Sequence, residues 1–391
     1  MNSDKLSSVK QRFMTDRGFC VVTHPLSAAG ENATRTLLNI LAELGPVSLI
    51  TADLPGDSTI REDREIVELT QEGTGDSVPV AAMRFILNQL RMCAAIWRRP
   101  EETILFFGAT AYLLPILFSR LIGKTVVVEP RGDVPLTLRL TWERRMLDAF
   151  AAALAGCVRL LERIGFLTAH TVVTYTPNMA RELGLDPDSP RVYARGARYV
   201  DTKAFRPVIP FEERDPVVGF VGRLDEEKGI RELAAVASRL PDEVTFRFVG
   251  DGPLREWLES ELSEEIEDGK VELAGWVNHD DVPAELTRMK LLVMPSQPTE
   301  GLPTTILEAM ACGTPVYATP VSGIPDVVLG EKTGFSMNEV DHEEMTRRIG
   351  SALKSGELNE MSRRCRELIE TEYSFDAAVR RYQRLFKKES S

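Results

Sequence analysis

From Gly18 onward, short apolar runs alternate with stretches of helical periodicity. Residues 19–22, 47–50, 104–107, 125–128 and 171–174 carry no charge, as strands do when both faces are covered. A second series begins at Val217, with runs at 217–221, 245–249, 271–273, 291–294 and 316–318. Strands spaced by helical segments predict parallel sheets with helices on both faces, here two doubly wound α/β domains in tandem. Pro207, Pro210 and Pro216 interrupt the periodicity between 204 and 216 and place the join there. Ligands of such sheets sit at the carboxyl ends of the strands, so two domains facing across a cleft would hold the site.

The longest uncharged stretch, 103–119, is 17 residues long and is interrupted by Gly108 and Pro115. It is read as a buried strand, 103–107, followed by a core-facing helix from about Ala111, not as a membrane span. Segment 1–17 is polar and has no hydrophobic signal core.

A length of 391 residues with 43% apolar and 27% charged positions suits two globular domains and neither disorder nor a collagen-like repeat. The net charge of -12 is uneven: residues 1–200 hold 23 basic and 22 acidic groups, net +1, and 201–391 hold 24 and 37, net -13. The total is acidic and no nucleic-acid-reading motif is present, so nucleic acid is not expected as a partner. The first half carries a basic cluster of Arg91, Arg98, Arg99, Arg120, Lys124, Arg139, Arg144 and Arg145 suited to an anionic partner, or scattered over solvated helix faces. Five widely spaced cysteines without a C-x-x-C pair read as reduced thiols of an intracellular protein. The four histidines are isolated from them, and no metal site is expected.

Chemistry concentrates in the second half. Glu300 and Glu308 stand eight positions apart across a loop-to-helix junction, and Glu308 lies among Ile306, Leu307, Ala309, Met310 and Ala311. A carboxylate on so apolar a helix needs hydrogen-bond donors, and a vicinal diol such as a ribose would supply them. The turn Gly301, Leu302, Pro303, Thr304 before that helix offers backbone N–H groups at a positive helix end. Upstream, Gly219-Phe-Val-Gly-Arg-Leu-Asp-Glu-Glu-Lys-Gly229 ends a strand and places Arg223 and Lys228 where they would clamp a diphosphate. It is neither a P-loop nor a G-x-G-x-x-G turn. Gly250, Gly252 and Gly275 follow later strands and allow close backbone approach to a base.

Gly222-Arg223 with Lys228, then Val249-Gly-Asp-Gly252, then Gly275, then Glu300 and Glu308 in an E-x7-E pattern resemble the retaining nucleotide-sugar glycosyltransferases of the GT-B fold, glycosyltransferase family 4. The likeness covers about residues 190–345. It implies that Gly222, Arg223 and Lys228 neutralise the donor diphosphate and that Glu308 holds the ribose hydroxyls. It also implies that Glu300 with Gly301, Leu302, Pro303 and Thr304 faces the donor sugar, while Gly250, Gly275 and Val277 border the base. The segment Arg195-Gly-Ala-Arg-Tyr-Val-Asp201 resembles the family's Gly-Val-Asp linker. The last helix, with Phe375, Tyr382 and Leu385 on its apolar side, resembles the closing helix that returns to the first domain. The implied domains are 1–203, completed by 374–391, and 204–373.

The first domain departs from the family. Of its usual Gly-Gly turn only Gly30 remains, leaving an acceptor-side contact at Gly30. Where many members have a histidine, this chain reads Val128-Glu-Pro-Arg-Gly-Asp133, so Arg131 and Asp133 become substitute catalytic candidates, with His24 the nearest histidine. The resemblance further implies a metal-independent hexosyltransferase without cofactor, with a UDP- or GDP-sugar as co-substrate and a glycan or polyprenyl- or other lipid-linked acceptor. It would build cell-surface polysaccharide or glycoconjugate from the cytoplasm, with peripheral contact to the membrane. That contact is expected from a helix over about 136–165, which mixes arginines with Leu138, Trp142, Leu147 and Phe150. A sugar-nucleotide epimerase would need more acid and base groups at the sugar, and a non-catalytic subunit would not need Arg223, Lys228, Glu300 and Glu308.

Overall fold

The computed structural model describes residues 18–24, 26, 28–52, 54, 58–62, 64–70, 78–143, 147–297 and 301–388. Segment 1–17, Arg144, Arg145 and Glu300 therefore lie outside the described residues. The chain divides into two compact units, Met1–Ala197 with Ala378–Ser391, and Arg198–Ala377. These limits fall six residues before the expected 203/204 boundary and four after the expected return at 374. Backbone bonding explains the first shift: Gly196 donates to Thr174 O (2.8 Å) and Ala197 to a carboxylate oxygen of Glu129 (3.0 Å), which tie both residues to the first sheet.

The first unit carries seven parallel strands: β1 (Phe19–Val22), β2 (Val47–Thr51), β3 (Glu65–Glu68), β4 (Thr103–Phe107), β5 (Thr125–Glu129), β6 (Thr171–Val173) and β7 (Val192–Tyr193). Their order is β3-β2-β1-β4-β5-β6-β7. The second unit carries six: β8 (Val217–Val221), β9 (Thr245–Val249), β10 (Val271–Gly275), β11 (Leu291–Met294), β12 (Val316–Ala318) and β13 (Gly334–Ser336), in the order β10-β9-β8-β11-β12-β13. Each is a Rossmann-like doubly wound sheet. In each the order reverses beside the first strand, so β1/β4 and β8/β11 form the switch points where such sheets open a crevice.

The apolar runs form the strands because both sheet faces are covered. Val218 and Phe220 pack with Phe246 and Phe248 against Ile230 and Leu233, while Ile104 and Phe106 pack with Val126 and Val128 against Ile116 and Phe166. Three strands have no counterpart among the expected runs: β3, β7 and β13, of four, two and three residues. All are at or near sheet edges, where one side needs no partner and charge is tolerated, as in Glu65-Ile-Val-Glu68.

The uncharged stretch becomes the fully buried β4 and the helix Leu113–Leu121. No described helix is long and apolar enough to cross a membrane. The single helix expected over 136–165 is instead two, Val134–Glu143 and Asp148–Thr168, packed on each other. Leu147, with ψ 134°, is extended, and Asp148 opens the second helix with a favourable charge at its amino end.

Candidate functional site

At the carboxyl edge of the second sheet, the loops after β8, β9 and β10 are laced together by their backbones. Gly222 N donates to Val249 O (2.9 Å), Leu224 N to Asp251 O (2.9 Å), Leu254 N to Leu224 O (3.0 Å) and Gly250 N to Gly275 O (2.8 Å). Gly250 has φ 135°, and a β-carbon there would land on the carbonyl of Gly222. Only glycine permits that approach. The expected Gly222, Gly250 and Gly275 thus meet, and Val277 follows two residues past β10, half-buried beside the exposed Trp276.

After Gly222 the chain turns through Asp225, whose side chain accepts from Lys228 N (3.1 Å) and caps the short turn Glu226–Lys228. Gln297 N donates to Glu227 O (3.0 Å), so this turn is joined to the loop after β11. Arg223 is ion-paired with Asp225 and lies 3.8 Å from Glu227, yet 64% of its side chain is exposed. Asp225 therefore shapes the turn that carries Lys228 and orients Arg223 as well.

Helix Thr304–Ala311 starts behind Pro303, whose side chain makes no capping hydrogen bond to its first amides. Gly301 O accepts from Gly323 N (2.8 Å), and Leu302 is buried beneath the turn. Ile306, Leu307, Ala309, Met310 and Ala311 are all fully buried, and Glu308 emerges among them partly exposed. Burial pushes its carboxyl up from 4.5 to about 7, while the Arg198 guanidinium pulls the other way. Hydrogen-bond donors reaching a carboxyl so placed would favour its charged form.

In the first unit, Gly30 lies in the opening turn of helix Ala28–Ala42, where its carbonyl accepts from Thr34 Oγ1 (2.9 Å), not in a loop as expected. Arg131 and His24 converge over Gly108: a β-carbon there would stand 2.8 Å from Arg131 Cδ and 3.5 Å from His24 Nε2. Arg131 also stacks on Phe107. Asp133 is engaged locally, accepting from Leu136 N (2.8 Å) at the start of helix Val134–Glu143 and paired with Arg159 (3.0 Å). Much of the basic cluster is likewise engaged. Arg99 is buried against Glu65 and Glu101, and Lys124 donates to the carbonyls of Arg99 and Glu101.

Three charged groups escaped the sequence reading. Glu162, buried on helix Asp148–Thr168, bonds Thr110 Oγ1 (2.5 Å), and burial raises its carboxyl to about 7. Glu129, fully buried at the end of β5, accepts from Tyr382 Oη (2.5 Å) and Ala197 N. The only signal for Glu129 was a carboxylate closing an apolar run, and Glu162, set between Leu161 and Arg163, had none. Arg198, whose charge acts on Glu308, had no signal beyond that charge. Among the described residues no group of three metal-ligating side chains comes together.

A family model described as "Glycosyl transferases group 1" matches residues 201–369. Over 322 residues the chain is 39% identical to the 2-deoxystreptamine glucosyltransferase of Streptomyces kanamyceticus, spanning 74% of this chain and 80% of that protein. Over 291 residues it is 34% identical to the 2-deoxystreptamine N-acetyl-D-glucosaminyltransferase of Streptomyces fradiae, spanning 68% of this chain and 66% of that one. Among solved structures, Anabaena Alr3699/HepE in complex with UDP superposes with a TM-score of 0.68 at 15% identity, over 94% of this chain and 99% of that one. That likeness is one of fold, the GT-B pairing of two Rossmann-like units.

Proposed function

This chain belongs to the group 1 glycosyl transferases, and from that premise we propose that it is a retaining enzyme that moves a hexose from a nucleotide sugar to a hydroxyl of a glycan or lipid-linked acceptor. The observation that carries the donor half is Glu308, a partly exposed carboxylate in an otherwise buried apolar helix, at the carboxyl edge of the second sheet. In the proposed complex, Glu308 accepts hydrogen bonds from both ribose hydroxyls, and the loops at Gly250 and Gly275 border the base. UDP is the first choice of nucleotide, because the Anabaena fold relative was solved with it.

Arg223, Lys228 and the uncapped amides at Thr304 would then face the diphosphate, and their charge would stabilise the leaving group without a metal ion. As the sugar C1–oxygen bond to the β-phosphate breaks, the acceptor oxygen bonds C1 from the same face. The acceptor's proton passes to the departing phosphate oxygen. Arg131 and His24 over Gly108, and Gly30, are the first unit's candidates for contact with acceptor or sugar.

For the acceptor, two readings have separate support. The names of the two Streptomyces relatives favour a small soluble aminocyclitol. A lipid-linked acceptor at the cytoplasmic face of a membrane is favoured by the adjacent helices Val78–Trp97 and Leu113–Leu121, which expose Ile86, Leu90, Trp97 and Leu121 beside Arg91, Arg98 and Arg120. Sedimentation with phosphatidylglycerol vesicles against phosphatidylcholine vesicles separates the readings, since only the second expects binding to the anionic ones. The reaction itself is tested by incubating the protein with UDP-glucose, UDP-N-acetylglucosamine or GDP-mannose and either acceptor class. Acceptor-dependent nucleotide release with an α-linked product from an α-donor is expected, and a β-linked product contradicts retention.

A further inference from the structure

Among the described residues only Ser322 and Glu331 combine a side chain with a positive φ. Glu331 is exposed, whereas Ser322, with φ 50°, is 4% exposed and lies in the loop after β12. The turn Val321–Ile324 is closed by Ile324 N, which donates to Val321 O (3.0 Å), and its second central residue, Gly323, has φ -83° and ψ -6°. These values are those of a type II′ turn, whose first central position glycine normally fills. A serine there is strained, and such strain persists only where the surrounding structure imposes it.

The bonds of this loop show what the turn is for. Gly323 N donates to Gly301 O (2.8 Å), at the start of the turn that leads into helix Thr304–Ala311. At the other end of the loop, Thr319 is buried; its amide donates to Met294 O (3.2 Å) and its Oγ1 to Ser296 O (2.7 Å). The loop after β12 therefore grips the chain between β11 and the helix at two places, Ser296 and Gly301. From the β8 side, Gln297 N donates to Glu227 O (3.0 Å), and a β-carbon on Gly229 would lie 2.7 Å from Pro295 Cγ. Since β11 stands between β8 and β12, the turn that carries Lys228 and the loop after β12 brace the same stretch of chain from its two flanks.

We propose that the loop after β12 is a positioning element of the donor site, with Thr319 and Ser322 as its positioning residues: it fixes the turn at Gly301 so that the first amides of helix Thr304–Ala311 meet the donor's β-phosphate. The proposal rests on the donor reading given above. Both clasping bonds end on carbonyl oxygens, those of Ser296 and Gly301, and so consume none of the amides offered to the ligand. Hydrogen bonds to a phosphate oxygen depend steeply on distance and angle, so amides held in place before binding recognise it better than amides that must first be ordered. Neither Thr319 nor Ser322 has to touch the donor to act in this way.

The test measures UMP and UDP affinity by calorimetry for wild type, Thr319→Val, Thr319→Ser and Ser322→Gly. UMP lacks the β-phosphate, so the ratio of the two affinities isolates that group. Thr319→Val keeps the side chain's shape and removes its hydroxyl. Its UDP-to-UMP ratio is expected to fall about tenfold, the worth of one hydrogen bond to a charged group, with UMP affinity within about twofold of wild type. Thr319→Ser keeps the hydroxyl and Ser322→Gly keeps the turn, so both should hold the wild-type ratio, and Ser322→Gly should unfold at a higher temperature as its strain is released. An unmoved ratio in Thr319→Val, or a fallen one in Ser322→Gly, overturns the proposal while leaving the donor site standing. Hydrogen exchange of the free proteins separates the two claims. Faster exchange in Thr319→Val confined to 301–306, with no nucleotide bound by any form, supports the clasp and sinks the donor reading. Exchange that is unchanged there, or faster throughout the second unit, sinks the clasp.

Discussion

The carboxyl edges of the two sheets solve the same topological problem with different materials. At the second edge the loops after β8, β9 and β10 are stitched backbone to backbone, with glycine at 250 and 252, where a β-carbon would meet the carbonyls of Gly222 and Leu224. At the first edge side chains fill the space: Arg131 and His24 over Gly108, Asp133 with Arg159, Glu162 with Thr110. A backbone-built edge presents amides and fixed charges in one geometry, which suits an invariant nucleotide. An edge built from side chains can be respecified by single substitutions, which suits a variable acceptor.

The sharpest way to break the comparison is to add one methyl group to each edge. Gly250→Ala sets a β-carbon against a carbonyl that cannot move, and should destabilise the second unit by about 4 kcal/mol or more, read by denaturant unfolding. Gly108→Ala meets side chains only among its nearest atoms, the Arg131 stem at 2.8 Å and His24 Nε2 at 3.5 Å, which can shift where a backbone carbonyl cannot, so its cost should stay nearer the roughly 1 to 2 kcal/mol of a positive φ. Equal costs would mean that the edges are not built differently.

Next in size is the pH response. Glu162 and Glu308 both rise from 4.5 to about 7 through burial. The unfolded chain gives up these protons near 4.5 and the fold keeps them to about 7. Each group's contribution is therefore complete below 4.5 and is lost as pH rises through that window, on the order of 3 kcal/mol apiece. Glu162→Gln should flatten the fall in stability between pH 5 and 7 by about half. A steeper fall in the variant would reverse the assignment. Smaller again is Tyr382→Phe, which removes one of the donors to the buried Glu129 and should cost about 1 to 3 kcal/mol in thermal unfolding.

The same contrast explains what the sequence revealed. Gly222, Gly250 and Gly275 were legible because backbone contact dictates a residue type at fixed distances from strand ends, and Glu308 because a charge inside an apolar helix stands out. The central strands were legible as uncharged runs. β3 and β13 were not, since an edge strand of three or four residues with charged or small positions resembles a loop. Arg99 and Lys124 read as surface charge because their partners, Glu65 among them, come from distant parts of the chain.

The central claim is that the second edge binds a nucleotide through Glu308, and calorimetric titration of UDP, GDP and ADP into wild type and Glu308→Gln at about pH 8, where the carboxyl is charged, tests it most directly. One nucleotide should bind the wild type and lose about 1.5 to 3 kcal/mol in the variant, the cost of removing a charged hydrogen-bond acceptor. Equal affinities for the two proteins, or no binding by the wild type, would contradict the account.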